Sequence, residues 1–295
     1  MKNCMVALVT PMFSDGRVDY LALQKLIEWH INSGMEAIVV LGTTGESPTL
    51  TDDERTRIIQ TAISQADKRI PIIVGTGTYD TQHSIHLSQQ AMSLGADGLL
   101  VVTPYYNRPT QNGLYQHFRV IHDAVNIPVI LYNNPGRTGC DLEESTIHQL
   151  SQLKNIIGLK DTHLDLTRVR RLKQLCGHDF WLWSSNDSNS VNYVRAGGNG
   201  VISVIANIVP QEMTQLMRFS VEKNDVETEL LHQRLSGLID ASSLESNPIP
   251  VKYALYLMKK ISEGIRLPLT ILEEKHQQVM KNVLLAFNLI KEFDR

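Results

Sequence analysis

The sequence is poor in cysteine. Its 295 residues include only Cys4, Cys140 and Cys176, an odd number without the C-x-x-C spacing of a zinc or redox site. Unpaired, scattered thiols are typical of proteins in a reducing compartment. We therefore expect free cysteines and a cytoplasmic protein that does not depend on disulfides.

Long hydrophobic runs and blocks of one charge are also missing. No apolar stretch approaches the roughly 18 residues that a membrane span needs, and the apolar start of the chain is too short for a signal peptide. The net charge is −3, and basic residues form no run beyond pairs such as Arg170-Arg171. These features argue against membrane and nucleic-acid partners and favour a small-molecule substrate.

Motifs for metals and nucleotides are absent from the sequence. The ten histidines include no H-E-x-x-H pattern, and His83 and His86 fall on one face of a predicted surface helix. There is no P-loop and no G-x-G-x-x-G; the stretch Gly75-Thr76-Gly77-Thr78 is only a fragment of such patterns. We expect neither a metal nor a nucleotide cofactor.

What the sequence does contain is an alternation of short apolar runs with amphipathic stretches. The runs are Met5-Val9, Ala37-Leu41, Ile72-Gly75, Gly98-Val102, Val129-Tyr132, Ile156-Lys160, Trp181-Ser184 and Gly200-Val204. Their near-continuous apolarity suits parallel strands covered on both faces, and the intervals have the helical period. Eight such units by about residue 205 predict an α/β fold, a (β/α)8 TIM barrel.

Helix boundaries agree with this alternation. Thr51-Asp52-Asp53-Glu54 resembles a capping box at the start of the second helix. Three helix ends carry glycine, at Ser33-Gly34, Leu94-Gly95 and Ala196-Gly197-Gly198. Only helical patterns follow the eighth run, so we predict a barrel catalytic domain at 1–223 and a C-terminal α-helical extension at 224–295.

Lys160 is the most reactive residue at a predicted strand end. Catalytic side chains of such barrels lie at the C-terminal ends of the strands. Lys160 closes an apolar run, where burial disfavours the ammonium and favours the free amine that attacks a carbonyl. By position alone, Lys160 could equally extend past the strand end or pair with Asp161.

Other strand ends carry groups that could assist such a lysine. The turn Gly42-Thr43-Thr44-Gly45 offers backbone N–H groups for a carboxylate and two hydroxyls for proton transfer. Tyr132 and Tyr106 carry phenols that could serve a carbinolamine. Taken singly, the turn is also an ordinary loop, and strand-end tyrosines are usually packing residues.

Together these residues resemble the dihydrodipicolinate synthase and N-acetylneuraminate lyase superfamily of pyruvate-dependent Schiff-base barrels. Two signatures carry the resemblance, Gly42-Thr43-Thr44-Gly45-Glu46-Ser47 and the stretch from Tyr132-Asn133-Asn134-Pro135 to Gly158-Leu159-Lys160-Asp161-Thr162. The similarity runs nearly end to end. Tyr105-Tyr106-Asn107-Arg108-Pro109 and Pro135-Gly136-Arg137-Thr138-Gly139 resemble the dihydrodipicolinate synthase branch most.

The resemblance implies a role for each site residue. Lys160 would form an imine with pyruvate, and Tyr132, Thr44 and Tyr106 would relay protons, Tyr106 coming from a neighbouring subunit. The other implied roles are carboxylate binding by Thr43, Thr44 and Gly45, binding of the second substrate's carboxylate by Arg137, and lining of the pocket by Ile202. No metal or separate cofactor is implied.

The implied reaction condenses pyruvate with aspartate 4-semialdehyde to 4-hydroxy-tetrahydrodipicolinate. This is the first committed step of diaminopimelate and lysine biosynthesis, and its enzymes are carbon-oxygen lyases. The resemblance also implies a homotetramer built as a dimer of dimers. Two alternatives remain open: a retro-aldol lyase acting on a sialic acid or a 2-keto-3-deoxy sugar acid, and a non-catalytic barrel that binds a ligand.

Two departures from the family pattern affect substrate scope and regulation. Ser185-Asn186 stand where the family usually carries Gly-Asp, close to the expected place of the second substrate's amino end. The positions that correspond to a lysine-binding pocket in lysine-inhibited members carry Asp52, Arg55, Tyr79 and His83 instead. The first departure leaves the choice of second substrate open, and from the second we expect weak or absent feedback by lysine.

Overall fold

A computed structural model of the protein describes residues 3–291. Eight parallel strands close into a barrel in which each strand pairs with the next and β8 pairs with β1. The strands are β1 Cys4–Ala7, β2 Ala37–Val40, β3 Ile72–Gly75, β4 Gly98–Val102, β5 Val129–Asn133, β6 Ile156–Asp161, β7 Trp181–Ser184 and β8 Gly200–Ser203. The predicted (β/α)8 barrel is confirmed.

Helices surround the barrel and then continue beyond it. Those between and after the strands are α1 Tyr20–Asn32, α2 Asp52–Ala66, α3 Thr81–Ser93, α4 Gln111–Asp123, the single-turn α5 Pro135–Thr138, α6 Glu144–Ser151, α7 Leu166–Cys176, α8 Ser190–Arg195 and α9 Pro210–Val221. The C-terminal helices are α10 Asp225–Ala241, α11 Ile249–Leu257 and α12 Glu274–Ala286. No helix between residues 3 and 291 is long and apolar enough to span a membrane.

The domain division remains a proposal. The boundary between residues 223 and 224 falls between the end of α9 at Val221 and the start of α10 at Asp225. Residues 1–2 and 292–295 of the two predicted ranges lie outside the described residues. Leu238 of α10 and Leu255 of α11 belong to the same buried cluster as the barrel helices, so the extension shares one core with the barrel.

Local signals in the sequence explain several helix boundaries. The Thr51 hydroxyl accepts from the Glu54 amide at 3.3 Å, and the Glu54 carboxylate accepts from the Thr51 amide at 3.0 Å. This is the predicted capping box, which satisfies two otherwise unpaired donors. Gly34, Gly95 and Gly197, one at each of the three predicted helix ends, have positive φ, as a left-handed helix terminus requires.

The barrel interior is a second, smaller core. Because side chains alternate along a strand, half of the strand residues face the helices and half face the barrel axis. The inward set includes Met5, Ile130, Tyr132, Trp183 and Ile202. In the strand register Tyr132 is paired with Lys160, and Lys160 with Trp183. The topology thus brings Tyr132 and Lys160 side by side at one end of the barrel.

The C-terminal extension is bound to the turn that follows β2. The Lys252 ammonium of α11 forms a buried ion pair with Glu46, whose second oxygen accepts from the Arg266 amide at 3.2 Å. Burial lowers the pKa of Lys252. Since a buried charge is stable only when it is paired, this contact fixes the extension against the barrel mouth.

Candidate active site

An open cavity of about 510 Å³ lies at the carboxyl ends of the strands. Residues that follow β2, β5, β6 and β7 form one wall, and the segment between α10 and α11 forms another. The polar and charged residues that line it are Thr43, Thr44, Tyr132, Asn134, Arg137, Lys160, Thr162, Ser185, Asn186, Asp187, Ser188, Ser242, Ser243, Glu245, Ser246 and Asn247. A barrel mouth of this kind is the usual place for a (β/α)8 active site.

Lys160 lies at the base of the cavity. Its side chain is only 5% exposed, and its Nζ lies 4.4 Å from the centroid of the Tyr132 ring. The neighbouring Asp161 carboxylate instead accepts from Arg168 Nε at 2.9 Å and from Asn133 Nδ2 at 3.2 Å. Consecutive strand residues point to opposite faces, so the alternative pairing of Lys160 with Asp161 is wrong.

Nor does Lys160 extend past the strand end into solvent, because its side chain is buried. Among residues 3–291 no carboxylate lies within ion-pair distance of Lys160. Within this range its amine is therefore free of a direct ion pair, and Lys160 lines the cavity. It is placed to react with a small electrophile in the cavity.

The Tyr132 phenol is buried next to this amine. Burial by itself raises the pKa of the phenol, but the Lys160 charge and hydrogen bonds from Asn134, Ser185 and Thr43 outweigh it, so the pKa lies below its usual value. Asn134 Nδ2 donates to the phenol oxygen at 2.9 Å. A phenol with a lowered pKa exchanges a proton more easily at neutral pH.

The turn after β2 brings two threonines into the cavity. Thr43–Gly45 form one turn of 3-10 helix, in which the Gly45 amide donates to the Gly42 carbonyl at 3.1 Å. Neither the Thr43 nor the Thr44 amide donates to another residue within 3–291, so both are available to an anionic ligand. Gly45 does not line the cavity and its N–H is already bonded, which gives it a part in the turn rather than a direct contact.

Thr44 has a partner that the sequence did not indicate. Its hydroxyl accepts from Asn247 Nδ2 at 2.9 Å. Asn247 lies 203 positions away in the segment between α10 and α11, so no local pattern could reveal the contact. In the sequence, only the Asn247-Pro248 pair, which interrupts a helical pattern, marks this position.

The remaining predicted residues lie around this centre. Arg137, at the single-turn α5, is exposed and lines the cavity, and its Nη2 donates to the Asn247 carbonyl at 3.3 Å. Ile202 is buried in the barrel interior, while Val204 lines the cavity itself. Tyr106 is 92% exposed and does not line the cavity of its own chain.

One group of three potential metal ligands occurs among residues 3–291, and it belongs to the extension. Glu245, Glu273 and His276 lie close together. The Glu245 carboxylate accepts from the Glu273 amide at 2.9 Å and is 2.7 Å from His276 Nδ1. These contacts fasten the start of α12 to the cavity wall.

Comparison with known proteins identifies the family. The chain matches the model of the dihydrodipicolinate synthetase family over residues 1–287. It belongs to this family. It is 46% identical to a 4-hydroxy-tetrahydrodipicolinate synthase of Nitrosococcus oceani and 48% identical to one of Coxiella burnetii, in each case over 95% of this chain and 96% of the relative.

Solved structures of family members have the same fold. The dihydrodipicolinate synthase of Acinetobacter baumannii, described as chloride-inhibited and complexed with pyruvate, superposes with a TM-score of 0.96 at 44% identity. The match covers 98% of this chain and 99% of that one. The resemblance inferred from the two sequence signatures is therefore confirmed.

Proposed function

We propose that the chain is a 4-hydroxy-tetrahydrodipicolinate synthase, which condenses pyruvate with aspartate 4-semialdehyde through an imine on Lys160. The observation that carries the proposal is the buried Lys160 amine, which has no carboxylate partner within residues 3–291 and lies against the Tyr132 ring at the base of a polar cavity. The reaction is taken from the names of the relatives, whose sequences align with nearly the whole chain.

The first stage is formation of the imine. Lys160 Nζ attacks the C2 carbonyl of pyruvate, and the carbinolamine loses its hydroxyl as water. Tyr132, whose phenol has a lowered pKa, donates and then regains the protons that these steps require. The free amides of Thr43 and Thr44 bind the pyruvate carboxylate, since backbone N–H groups in a turn favour an anion.

The second stage forms the carbon–carbon bond. The protonated imine withdraws electrons, the pyruvate methyl loses a proton, and the enamine attacks the aldehyde carbon of the semialdehyde. Arg137 at the rim binds the carboxylate of this second substrate, for which a guanidinium is well shaped. The substrate's own amine then attacks C2 and releases Lys160, so that one water is lost overall.

The proposal includes a particular assembly. Tyr106 is a large aromatic residue left 92% exposed, with a positive φ of 74°. An exposed aromatic with an unfavourable backbone conformation is consistent with a residue held in place by a neighbouring subunit. We propose that Tyr106 completes the proton relay of Thr44 and Tyr132 in a partner chain, within a cytoplasmic homotetramer arranged as a dimer of dimers.

Two other functions make different demands on the same site. A retro-aldol lyase for a sialic acid or a 2-keto-3-deoxy sugar acid would share Lys160 and Tyr132 but would not need Arg137 at the rim. A non-catalytic barrel would need no buried amine at the base of the cavity. Cleavage of a polyhydroxylated keto acid, without condensation of pyruvate and the semialdehyde, would favour the lyase.

Covalent trapping tests the proposal directly. The protein is incubated with pyruvate, reduced with borohydride and mapped by peptide mass spectrometry. We expect the adduct on Lys160, its loss in Lys160→Arg, and no adduct on Lys252, a buried lysine already paired with Glu46. The labelled protein must also consume aspartate 4-semialdehyde together with pyruvate. An unlabelled Lys160 would overturn the proposal.

A further inference from the structure

Glu46 joins two turns of 3-10 helix after β2, and its backbone is in an unusual conformation. It follows the turn Thr43–Gly45 and precedes the turn Ser47–Thr49. Its amide donates to the Thr43 carbonyl and its carbonyl accepts from the Thr49 amide, both at 3.1 Å. Its φ is 55°, in the left-handed region that a side chain disfavours. Such a conformation persists only where the surrounding structure holds it in place.

The side chain of Glu46 is held inside the protein by the C-terminal extension. It is only 3% exposed, and one of its carboxylate oxygens is paired with the ammonium of the equally buried Lys252. The other oxygen accepts from the Arg266 amide at 3.2 Å. These partners lie 206 and 220 positions further along the chain. The extension therefore anchors the joint between the two turns.

The residues on either side of Glu46 are held as well. The Thr10 hydroxyl donates to the Gly45 carbonyl at 2.7 Å. The buried Arg55 guanidinium donates to the Ser47 hydroxyl. The backbone of this segment is thus fixed at three consecutive residues, of which Glu46 is the middle one.

The ion pair lies outside the cavity that it adjoins. Thr43 and Thr44 line the cavity, whereas Glu46 and Lys252 do not. The pair can therefore act on a bound substrate only through the backbone of the turn. Hydrogen bonds to a carboxylate are strong but weaken steeply when the donor moves or tilts. A small displacement of the turn should thus lower the affinity for an anionic substrate.

We propose that Glu46 is a positioning residue, whose buried ion pair with Lys252 fixes the Thr43 and Thr44 amides for the carboxylate of the 2-oxo acid. The inference rests on the proposed function, in which these amides bind pyruvate. It gives the extension a part in the first stage of the reaction. The pair matters for a carbonyl compound that carries a carboxylate and not for one that lacks it, because the Lys160 amine is left unchanged.

The test removes both charges together, in the double variant Glu46→Gln, Lys252→Met. Either substitution alone would leave a buried charge unpaired, whereas the double variant leaves none and should fold. The new glutamine can still accept from the Arg266 amide, so the change is confined to the ion pair. Circular dichroism and urea unfolding check the fold.

Two carbonyl compounds are then compared as labels of Lys160 in the presence of cyanoborohydride, with the rate read by peptide mapping. Acetaldehyde is the matched probe that lacks the carboxylate of pyruvate. In the double variant, the pyruvate concentration that gives half the maximal rate should rise about threefold to thirtyfold, as partial loss of hydrogen bonds to a charged group implies. The acetaldehyde rate should not change. Glu229→Gln with Arg195→Met, which removes an exposed ion pair of 3.5 Å, should change neither.

Two results would overturn the inference. One is a folded double variant that needs no more pyruvate than the wild-type chain. The other is an equal loss of labelling by both probes, which would mean that the pair supports only the fold or Lys160 itself. Failure of the proposed function is distinct from both, because it appears as a wild-type chain that pyruvate does not label.

Discussion

The side chain of Asn247 donates a hydrogen bond of 2.9 Å to the hydroxyl of Thr44. Asn247 belongs to the segment between α10 and α11, and Thr44 belongs to the turn after β2. The Asn247 carbonyl also accepts from Arg137 at 3.3 Å. One residue of the extension therefore contacts both the turn proposed to bind pyruvate and the residue proposed to bind the second substrate, so the barrel alone does not complete the site.

Asn247→Ala should lower kcat about threefold to tenfold, the effect expected from loss of one hydrogen bond to a relay hydroxyl. Steady-state kinetics with both substrates measure this change. Asn282→Ala, at an exposed position of α12, is the matched control and should leave kcat unchanged. An Asn247→Ala enzyme with wild-type kcat and normal folding would show that Thr44 needs no help from the extension.

Mixing of two inactive chains tests the proposed donation of Tyr106. Tyr106→Phe lacks the donated phenol and Lys160→Ala lacks the amine, but a mixed dimer contains one site with both groups. Random reassociation in equal amounts should restore about a quarter of the wild-type sites, because half of the dimers are mixed and each has one complete site. Activity no higher than the sum of the separate chains would place Tyr106 outside the partner's site.

The sequence predicted the barrel and the centre of the site because both follow from local patterns. Apolar runs bounded by turn residues predicted the observed limits of β3, β4 and β7. The runs that predicted β1, β2 and β8 continue by one or two apolar residues beyond the strands; at β2 the chain turns at Leu41, which has a positive φ of 58°. Lys160 and Tyr132 were expected at one mouth, and their register pairing explains why they touch.

The residues that the sequence did not predict act through contacts between distant segments. Asn247 of the extension donates to Thr44 of the turn after β2, and Asn134, which follows β5, donates to the Tyr132 phenol. Gly45 was expected as a direct contact, but its amide closes the turn. Which of several polar residues in a loop faces the cavity depends on the backbone path, and a motif does not specify that path.

Lysine should inhibit the enzyme weakly or not at all. At the positions that correspond to a lysine pocket, the Arg55 guanidinium is buried and bonded to the Ser47 hydroxyl and to the Gly75 carbonyl. A fixed positive charge repels the ammonium groups of lysine. Initial rates should stay within experimental error as lysine is raised to about millimolar concentration, and saturable inhibition in that range would contradict this prediction.

Acid should destabilise the fold through His30, a buried residue of α1. Within residues 3–291 neither of its ring nitrogens has a hydrogen-bond partner, and burial, aided by the nearby Lys260 charge, lowers its pKa to about 3. The unfolded chain takes up a proton at a pKa near 6.5, whereas the folded chain does not until about pH 3. The unfolded state therefore binds more protons between these values, and stability falls as the pH falls through this window.

The loss attributable to His30 should reach about 2 kcal/mol at pH 5 relative to pH 8. His30→Phe removes the titrating group but keeps an aromatic ring, so its free energy of unfolding should depend less on pH by this amount. Urea unfolding at fixed protein concentration measures both curves, and the difference between them cancels the contributions of other groups, such as His117, whose pKa is also lowered by burial. Parallel curves for the two proteins between pH 8 and 5 would mean that His30 is protonated in the folded state, and that its buried site holds a partner for the charge.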